Sequence, residues 1–342
     1  MKVCLVTENY EPSYGGQFTS VNNIVNICKF KNLKHNIIHK KSKIFKNKIF
    51  LEKTIISSDI IHIFGGWTLF YFKIHKLAIK FKKRIIIHTM GLFEPKSFDQ
   101  KTVKKKLAWS LYQEKILLES DLLHCGSKTE EKNLKNLNEK FKTIILPFSV
   151  DKKNIKKNIK KNITKKCLFF SRLHNQKGLD KLINAWIAIN NKDWKLDIVG
   201  FGNAKYYIKK FNLTNYKNIK FLKPIINKNK KILLFDNYDF FALPSLSESF
   251  GLAILESLAR RVPVLTTNNT PWSDIQKKNS GWIINNSLIE LKLVLYEIFN
   301  SPNIELILKK NNTIKVVKNY TTSKISQLYL KAYKKLISNK NN

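Results

Sequence analysis

Short apolar runs alternate with amphipathic segments along most of the chain. Runs rich in Ile and Val predict strands, and the amphipathic stretches between them predict helices. In the first third, the predicted strands cover 3–7, 36–39, 59–64 and 84–88, and the predicted helices cover 19–30 and 69–81. The same alternation returns between residues 167 and 336. Continuous apolar runs are typical of parallel strands covered on both faces, so the pattern predicts an α/β protein with two nucleotide-type folds.

Between the two halves lies a segment with almost no apolar periodicity. Residues 152–166 are rich in Lys and Asn, which is typical of a linker between domains. We therefore predict a first domain at 1–151 and a second domain at 152–319.

Two carboxylates bracket a predicted helix start in the second half. Glu248 precedes the helix predicted at 251–259, and Glu256 lies about one turn inside it. Both can face a crevice at the carboxyl end of the preceding strand, where open α/β sheets bind phosphate-bearing ligands. The exposed N–H groups there belong to Phe250, Gly251 and Leu252. An ordinary first-turn acid and an exposed helix residue explain the same pattern equally well.

A second helix start carries two cations. Arg172 and Lys177 precede the helix predicted at 179–190, and positive charge is unfavourable at that end of a helix. The pattern therefore predicts an anionic ligand such as a diphosphate, which Arg binds bidentately and Lys binds as a point charge. Two solvated surface cations are the alternative.

The first half offers two weaker candidates. Gly15 and Gly16 follow the first strand, but they do not form the GxGxxG dinucleotide fingerprint, and a plain tight turn explains them as well. His88 ends its strand, which is a suitable place for chemistry in a parallel sheet, although a capping or core histidine is the alternative.

The strongest sequence signal is a resemblance to a known family. Glu248-Ser-Phe-Gly-Leu-Ala-Ile-Leu-Glu256, followed by Val262-Pro-Val-Leu-Thr-Thr, resembles the donor-binding signature of retaining glycosyltransferases of the GT-B fold, the "family four" or glycosyl transferases group 1 proteins. Arg172-Leu with Lys177-Gly resembles that family's Gly-Arg-Leu…Lys-Gly pattern. The chain departs from the pattern at Ser171, which replaces a glycine, and at Arg261, where the family has a small residue.

A separate run adds to this resemblance. Residues 88–127 resemble a stretch of bacterial lipopolysaccharide and exopolysaccharide glycosyltransferases, although Thr89 stands between the His and the Met-Gly. The exit from the first domain is a weaker match, because Phe148 and Ser149 replace the family's Asn-Gly.

The resemblance implies a fold and a set of roles. It implies two Rossmann-like domains that face each other across a deep cleft, with the acceptor on the first domain and the nucleotide sugar on the second. It also implies that a last helix, at about 320–338, packs back on the first domain. The resemblance implies that Glu248 contacts the transferred sugar and that Glu256 binds the ribose hydroxyls. It implies that the diphosphate is bound by Arg172, Lys177 and the amides of Phe250, Gly251 and Leu252. Gly15 and Gly16 are implied to lie near the donor phosphate and the acceptor, and His88 is implied to approach the sugar's reactive carbon or its hydroxyls. No metal and no cofactor are expected.

The implied reaction moves a hexose, with retention of configuration, from a UDP- or GDP-linked sugar to a glycan or lipid-linked acceptor in lipopolysaccharide or exopolysaccharide synthesis. A soluble acceptor, of the glycogen-synthase or sucrose type, is the alternative. The 88–127 run favours the lipid-linked acceptor. The expected absence of a signal peptide, since Met1 leads directly into the strand predicted at 3–7, favours it as well.

Composition raises an alternative from another class. The net charge of +39 is typical of nucleic-acid-binding proteins, but the chain has only four arginines and lacks aromatic-basic modules and zinc spacing. We expect no nucleic acid partner. A Lys-rich face, including Lys101 to Lys106, would instead attract an anionic membrane surface and nucleotides.

Cysteine usage and hydropathy predict the compartment. Four scattered cysteines form neither a disulfide framework nor a zinc site, which favours a reducing cytoplasm. No apolar run reaches the roughly 18 to 20 residues of a membrane-spanning helix. We therefore expect a cytoplasmic protein that can lie peripherally on the cytoplasmic face of the inner membrane. The sequence does not define its oligomeric state.

Overall fold

A computed structural model describes residues 1–94 and 102–338, which form two units. The first unit combines Met1–Ser149 with Thr322–Asn342, and the second is the continuous segment Val150–Thr321. Each unit contains a six-stranded sheet in which all paired strands are parallel, with helices between the strands. The predicted two-domain α/β architecture is confirmed. Residues 95–101, which include Lys101 and part of the 88–127 run, lie outside the described residues.

The first sheet has the strand order β2-β1-β3-β4-β5-β6. Its central strands are almost fully buried, as continuous apolar runs require. The strands are β1 (Lys2–Thr7), β2 (Lys34–Ile38), β3 (Ile60–Phe64), β4 (Arg84–His88), β5 (Leu122–Cys125) and β6 (Thr143–Ile145).

The helices of the first unit follow the apolar periodicity. In the helix Leu69–Lys80, for example, Phe70, Ile74 and Ala78 are buried at intervals of four, whereas Lys73 and Lys80 are exposed. The helices are α1 (Gly16–Phe30), α2 (Lys43–Lys46), α3 (Lys48–Ile56), α4 (Leu69–Lys80), α5 (Thr102–Ala108), α6 (Glu114–Glu119), α7 (Lys128–Leu137) and, from the end of the chain, α15 (Thr322–Ser338). A π-helical turn, Trp109–Gln113, joins α5 to α6.

The second sheet has the strand order β12-β11-β10-β7-β8-β9. Its strands are β7 (Lys166–Phe170), β8 (Lys195–Val199), β9 (Ile219–Leu222), β10 (Phe240–Leu243), β11 (Val264–Thr267) and β12 (Gly281–Ile284). Its helices are α8 (Leu179–Ile189), α9 (Ala204–Lys210), α10 (Lys228–Leu234), α11 (Leu252–Ala259), α12 (Asp274–Lys277), α13 (Leu288–Asn300) and α14 (Asn303–Val317).

The strand order of the second sheet reverses between β7 and β10. The chain leaves β7 toward β8 on one side, and it leaves β10 toward β11 on the other. Loops that leave neighbouring parallel strands in opposite directions open a crevice at their carboxyl ends, where α/β sheets bind ligands. The loops after Phe170 and after Leu243 meet at this switch point.

The first and last residues of the second unit pair with each other. Val150 and Thr321 form a parallel bridge, and the Val150 amide donates to the Tyr320 carbonyl at 2.9 Å. The Tyr320 ring packs on Trp272, with centroids 5.1 Å apart, and on Phe250, with centroids 5.7 Å apart. The exit from the second unit is therefore packed against the loop that begins α11.

The hydrogen bonds of Arg261 explain why this residue departs from the family pattern. It follows α11 with φ at 65°, a conformation that favours glycine. Its guanidinium donates to the carbonyls of Lys156 at 2.9 Å, Lys157 at 3.1 Å and Asn311 at 3.3 Å. Arg261 thus fastens the segment at the start of the second unit to the end of α11 and to α14.

Candidate functional site

The core of the site is an ion pair between the two loops that meet at the switch point of the second sheet. Lys177 Nζ lies 2.7 Å from Glu248 Oε1, and both side chains are mostly buried. The Ser245 hydroxyl donates to the same oxygen at 2.8 Å. The carboxylate is therefore fixed from both sides through Oε1, and its other oxygen is the one that it would offer to a ligand.

Glycine at position 178 allows the two loops to approach so closely. Gly178 has φ at 72°, and a Cβ added there would lie 1.9 Å from the carbonyl oxygen of Pro244. A further contact joins the loops, because the Leu246 amide donates to the Gln176 carbonyl at 2.8 Å. A larger residue at 178 would separate Lys177 from Glu248.

Glu256 belongs to a second ion pair one turn inside α11. Its Oε1 lies 2.7 Å from Lys231 Nζ on α10, and about four fifths of each side chain is buried. Its Oε2 is buried without a hydrogen-bond partner among the described residues. Lys231 also lies over the ring of Phe170, with the ammonium 5.5 Å from the ring centroid. Since Phe170 ends β7, this second pair borders the same crevice.

The start of α11 is built around Gly251. This residue has φ at 82° and precedes the first helical residue, Leu252. The first-turn amides of a helix have no intrahelical acceptor, so this end can bind an anion. Phe250 is buried, and its carbonyl accepts a hydrogen bond from the Trp272 indole. Phe250 therefore anchors the loop, whereas Gly251 and Leu252 form its accessible turn.

Arg172 lies in the same loop as Lys177, but its side chain is exposed and, among the described residues, forms no ion pair. His174 lies near both cations. Burial, together with the positive charges of Arg172 and Lys177, lowers the pKa of His174. The loop after β7 thus concentrates positive charge at the crevice.

In the first unit, Gly15 and Gly16 join a 3-10 turn to α1. Gly15 has φ at 56°, and a Cβ added at either glycine would meet no atom within 4 Å. Near this turn, the Gln17 amide group donates to the Phe64 carbonyl at 3.2 Å and to the Tyr71 hydroxyl at 3.0 Å. Gln17 therefore anchors the first turn of α1, and the glycine turn beside it has open space around it.

His88 lies in the core of the first unit. Its ring is fully buried and stacks on the His124 ring, with centroids 4.0 Å apart, while Nδ1 lies 3.0 Å from the His124 carbonyl. Nε2 has no hydrogen-bond partner in the described part of the chain. Burial lowers the pKa of His88, which favours the neutral ring. The predicted contact between His88 and a sugar stays a prediction.

A chain of buried hydrogen bonds surrounds His88. The Tyr333 hydroxyl lies 2.9 Å from His62 Nδ1, His62 Nε2 lies 3.1 Å from His124 Nδ1, and His124 Nε2 lies 2.7 Å from the Leu146 carbonyl. Because a carbonyl only accepts, His124 donates from Nε2 and accepts at Nδ1, and this fixes the direction of the whole chain. The network binds α15 to the sheet of the first unit.

The structure therefore brings together six of the predicted donor-site residues in one unit. These are Lys177, Glu248, Phe250, Gly251, Leu252 and Glu256, and Arg172 is exposed in the loop that also carries Lys177. The candidates of the other unit, Gly15, Gly16 and His88, lie in separate places, because the glycines form a turn and the histidine is buried. Sequence reasoning missed Lys231 and Ser245. Among residues 1–94 and 102–338, no group of three His, Cys, Asp or Glu side chains is arranged to hold a metal ion.

Comparisons with known proteins identify one family model and several relatives that match part of the chain. The family model for glycosyl transferases group 1 matches residues 150–293. An uncharacterized glycosyltransferase of Haemophilus influenzae is 26% identical over 148 residues, which is 42% of this chain and 41% of that protein. An uncharacterized 41.2 kDa protein in the cps region of Klebsiella pneumoniae is 28% identical over 227 residues, 61% of this chain and 60% of that protein. The chain thus spans 41% to 60% of the length of these relatives.

Solved structures match over nearly the whole chain. Sucrose-phosphate synthase from Thermosynechococcus elongatus matches with a TM-score of 0.77 at 14% identity, covering 99% of each chain. Anabaena HepE, solved in complex with UDP and glucose, matches with a TM-score of 0.76 at 14% identity, covering 98% of this chain and 100% of that one. At such identities the likeness shows the fold. The chain therefore has the GT-B fold, and its residues 150–293 match the family model for glycosyl transferases group 1.

Proposed function

We propose that the protein is a retaining glycosyltransferase, which transfers a hexose from a UDP- or GDP-linked sugar to a glycan or lipid-linked acceptor in cell-surface polysaccharide synthesis. The observation that carries this proposal is the pair of Lys–Glu contacts at the switch point of the second sheet. Lys177 with Glu248 and Lys231 with Glu256 set two carboxylates and two cations around one crevice.

The chemistry requires a stabilised leaving group. Negative charge grows on the diphosphate as the glycosidic bond breaks. Arg172, Lys177 and the first amides of α11 would stabilise that charge in a preorganised site. Glu248 would orient the sugar hydroxyls, and the ribose hydroxyls would bind Glu256. The departing phosphate would take the proton of the acceptor hydroxyl, so the oxygen–hydrogen bond of the acceptor breaks as the new glycosidic bond forms. No metal or cofactor enters this scheme.

A surface of the first unit supports an acceptor at a membrane. Val103, Leu107 and Leu111 follow one another at intervals of four and are 80%, 59% and 68% exposed. Lys104 and Lys106 are exposed beside them. Apolar side chains among lysines are typical of a surface that lies on anionic lipid. We therefore propose a cytoplasmic protein that lies peripherally on the inner membrane. Within the described ranges, no helix is long and apolar enough to cross a bilayer.

The similar proteins support two acceptor classes. The relative in the cps region of Klebsiella pneumoniae favours a surface polysaccharide. The likeness to sucrose-phosphate synthase favours a soluble sugar acceptor as the second candidate. The exposed apolar stripe of the first unit favours the first class, because a soluble acceptor gives no reason for three exposed apolar side chains at intervals of four.

Binding and turnover of nucleotide sugars test the proposal. UDP- and GDP-hexoses are screened by thermal shift, since a ligand that binds only the folded state raises the unfolding midpoint. The stabilising donor is then assayed for hydrolysis and transfer with wild-type protein and with Glu256→Ala. We expect stabilisation by one donor class and a strong loss of activity in the variant, while Lys205→Met, an exposed lysine on α9, serves as the control. Failure of every donor, combined with retention of DNA or RNA at physiological salt, would favour a nucleic-acid-binding protein instead.

A further inference from the structure

Lys231 is a residue of the crevice that no sequence pattern singles out. It lies on α10, whose start is capped by the Asn227 side chain, which accepts from the amides of Asn229 and Lys230. The cap fixes the first turn of this short helix. Lys231 then reaches away from α10 to Glu256 on α11, 25 residues further along the chain. The contact joins two helices that flank the switch point.

The lysine is held on two sides. Its ammonium lies 2.7 Å from Glu256 Oε1 and 5.5 Å from the centroid of the Phe170 ring, and only 18% of the side chain is exposed. A surface lysine samples many rotamers, but one that is held between an aromatic face and a carboxylate does not. Lys231 therefore fixes the orientation of Glu256.

The carboxylate that it fixes has one free oxygen. Oε2 of Glu256 is buried and accepts no hydrogen bond from any described residue, whereas Oε1 is bound by Lys231. A buried carboxylate oxygen without a donor is unfavourable, so the arrangement is suited to a ligand that brings hydroxyl groups. The vicinal hydroxyls of a ribose are such donors.

Charge gives a second reason for a lysine here. A nucleotide diphosphate is anionic, and an unpaired Glu256 would repel it across a partly buried crevice. Because Lys231 neutralises Glu256, the carboxylate can accept ribose hydroxyls without opposing the diphosphate that Arg172 and Lys177 would bind.

We propose that Lys231 is a positioning residue that makes the donor site selective for nucleotides with intact ribose hydroxyls, by holding Glu256 with Oε2 toward those hydroxyls. The inference rests on the proposed function, because it requires that a nucleotide binds in this crevice. It adds a residue outside the family motif to the site.

Nucleotide binding measures this selectivity directly. UDP, GDP and their 2′,3′-dideoxy counterparts are titrated into wild-type protein by calorimetry. We expect the nucleotide that binds wild type to lose about 10- to 100-fold in affinity when both hydroxyls are absent, the range for hydrogen bonds to a charged group. Lys231→Met should bind the intact nucleotide about tenfold more weakly and discriminate against the dideoxy form by less than about threefold.

Three further variants separate positioning from a general structural role. Lys230→Met removes the exposed neighbour of Lys231 and should keep the wild-type discrimination. Lys231→Arg should restore most of it. In a double-mutant cycle, Glu256→Gln combined with Lys231→Met should lose no more discrimination than Glu256→Gln alone, because both changes remove the same interaction. The unfolding midpoint of each variant is recorded alongside, and it should not follow the loss of discrimination.

The outcomes distinguish the inference from the proposed function. If wild type binds neither UDP nor GDP, the proposed function fails, and the role of Lys231 fails with it. If wild type binds and discriminates but Lys231→Met discriminates equally well, only the role of Lys231 is overturned. Full discrimination in Lys231→Met with a lowered unfolding midpoint would make the ion pair a structural link between α10 and α11.

Discussion

Lys177 donates to Glu248 across the two loops at the switch point of the second sheet, at 2.7 Å. The cation that is expected to meet a diphosphate is therefore already paired with the carboxylate that is expected to meet the sugar. An ammonium has three donors, so Lys177 can keep Glu248 and still bind phosphate oxygens. The pair would transmit the arrival of the diphosphate to the carboxylate beside the sugar.

The first prediction concerns this pair. Glu248→Gln keeps the shape of the side chain but removes the negative charge to which Lys177 and Ser245 donate hydrogen bonds. Lys177→Met removes the positive charge of the pair. We expect each variant to lower kcat by at least about 100-fold, the range for the loss of one preorganised electrostatic contact in a site. Steady-state kinetics with the stabilising donor measure this, with Lys205→Met as the control. Wild-type kcat in Glu248→Gln would remove this carboxylate from the reaction.

The second prediction concerns stability at Arg261. Arg261→Ala removes three hydrogen bonds to carbonyls and should lower the free energy of unfolding by about 1–3 kcal/mol, since each such bond contributes about 1 kcal/mol. Arg261→Gly loses the same bonds but relieves the positive φ, and should recover about 1 kcal/mol of that loss. Urea unfolding followed by tryptophan fluorescence gives these values, with Lys277→Ala as an exposed control. Equal stability of the Ala and Gly variants would contradict the assigned backbone strain.

The third prediction is a loss of stability in acid. Burial holds the pKa values of His62 and His124 well below 6.5, so the folded state keeps them neutral. In the unfolded chain they bind protons as the pH falls through about 6.5, and the unfolded state gains protons that the folded state does not. The contribution is therefore fully present above about pH 6.5 and is lost below it, by up to about 1.4 kcal/mol per pH unit for each histidine.

Two variants test the assignment of that slope. His62→Gln should reduce the dependence of the unfolding free energy on pH between about 6.5 and 5. Tyr333→Phe removes the hydrogen bond to His62 but no titrating histidine, so it should lower stability at every pH by about 1 kcal/mol and leave the slope unchanged. A slope in His62→Gln that equals that of wild type would assign the acid sensitivity to other groups.

The fourth prediction concerns the apolar stripe of the first unit. Leu107→Glu with Leu111→Glu should weaken binding to vesicles that contain phosphatidylglycerol by about tenfold or more, because each change replaces an apolar contact with a repelled charge. Leu293→Glu is the matched control, since this leucine of α13 is 64% exposed, in the same range as Leu111. Sedimentation of protein with vesicles measures binding. Equal loss in the control would indicate a general effect of charge, and wild-type binding in the double variant would exclude the stripe from the contact.

Most of the fold could be predicted because its signals are local. The buried strand Ile60–Phe64 is a continuous apolar run, and α4 carries its apolar residues at helical spacing. The helices α2 and α3 were not predicted. Their sequence mixes lysines with Ile and Phe, and Ile49 and Phe50 of α3 are exposed, so no apolar stripe marks the buried face. Their start signals are the capping side chains of Ser42 and Asn47, which only the backbone geometry identifies.

The candidate site could be predicted only in part, because its contacts join residues that are distant in the sequence. Glu248 and Glu256 could be named because their motif is contiguous, but their partners could not. Lys231 lies in a Lys-rich segment, and no sequence feature distinguishes it from the neighbouring lysines. Its contact with Glu256 depends on how α10 and α11 pack. The expectation that an anionic ligand alone explains the cation Lys177 was incomplete, because Glu248 already supplies an anion. A pattern of residue types gives the charges of a site but not which of them are paired.

The pairing of Val150 with Thr321 has a consequence for synthesis of the chain. The second unit is continuous, and its two ends lie side by side, so all of its residues are available for folding as soon as residue 321 has left the ribosome. The first unit starts earlier but must wait for α15, whose Tyr329 and Tyr333 close its buried histidine network. The part of the protein that is translated first is therefore completed last, because the helix that closes its buried histidine network follows the whole second unit.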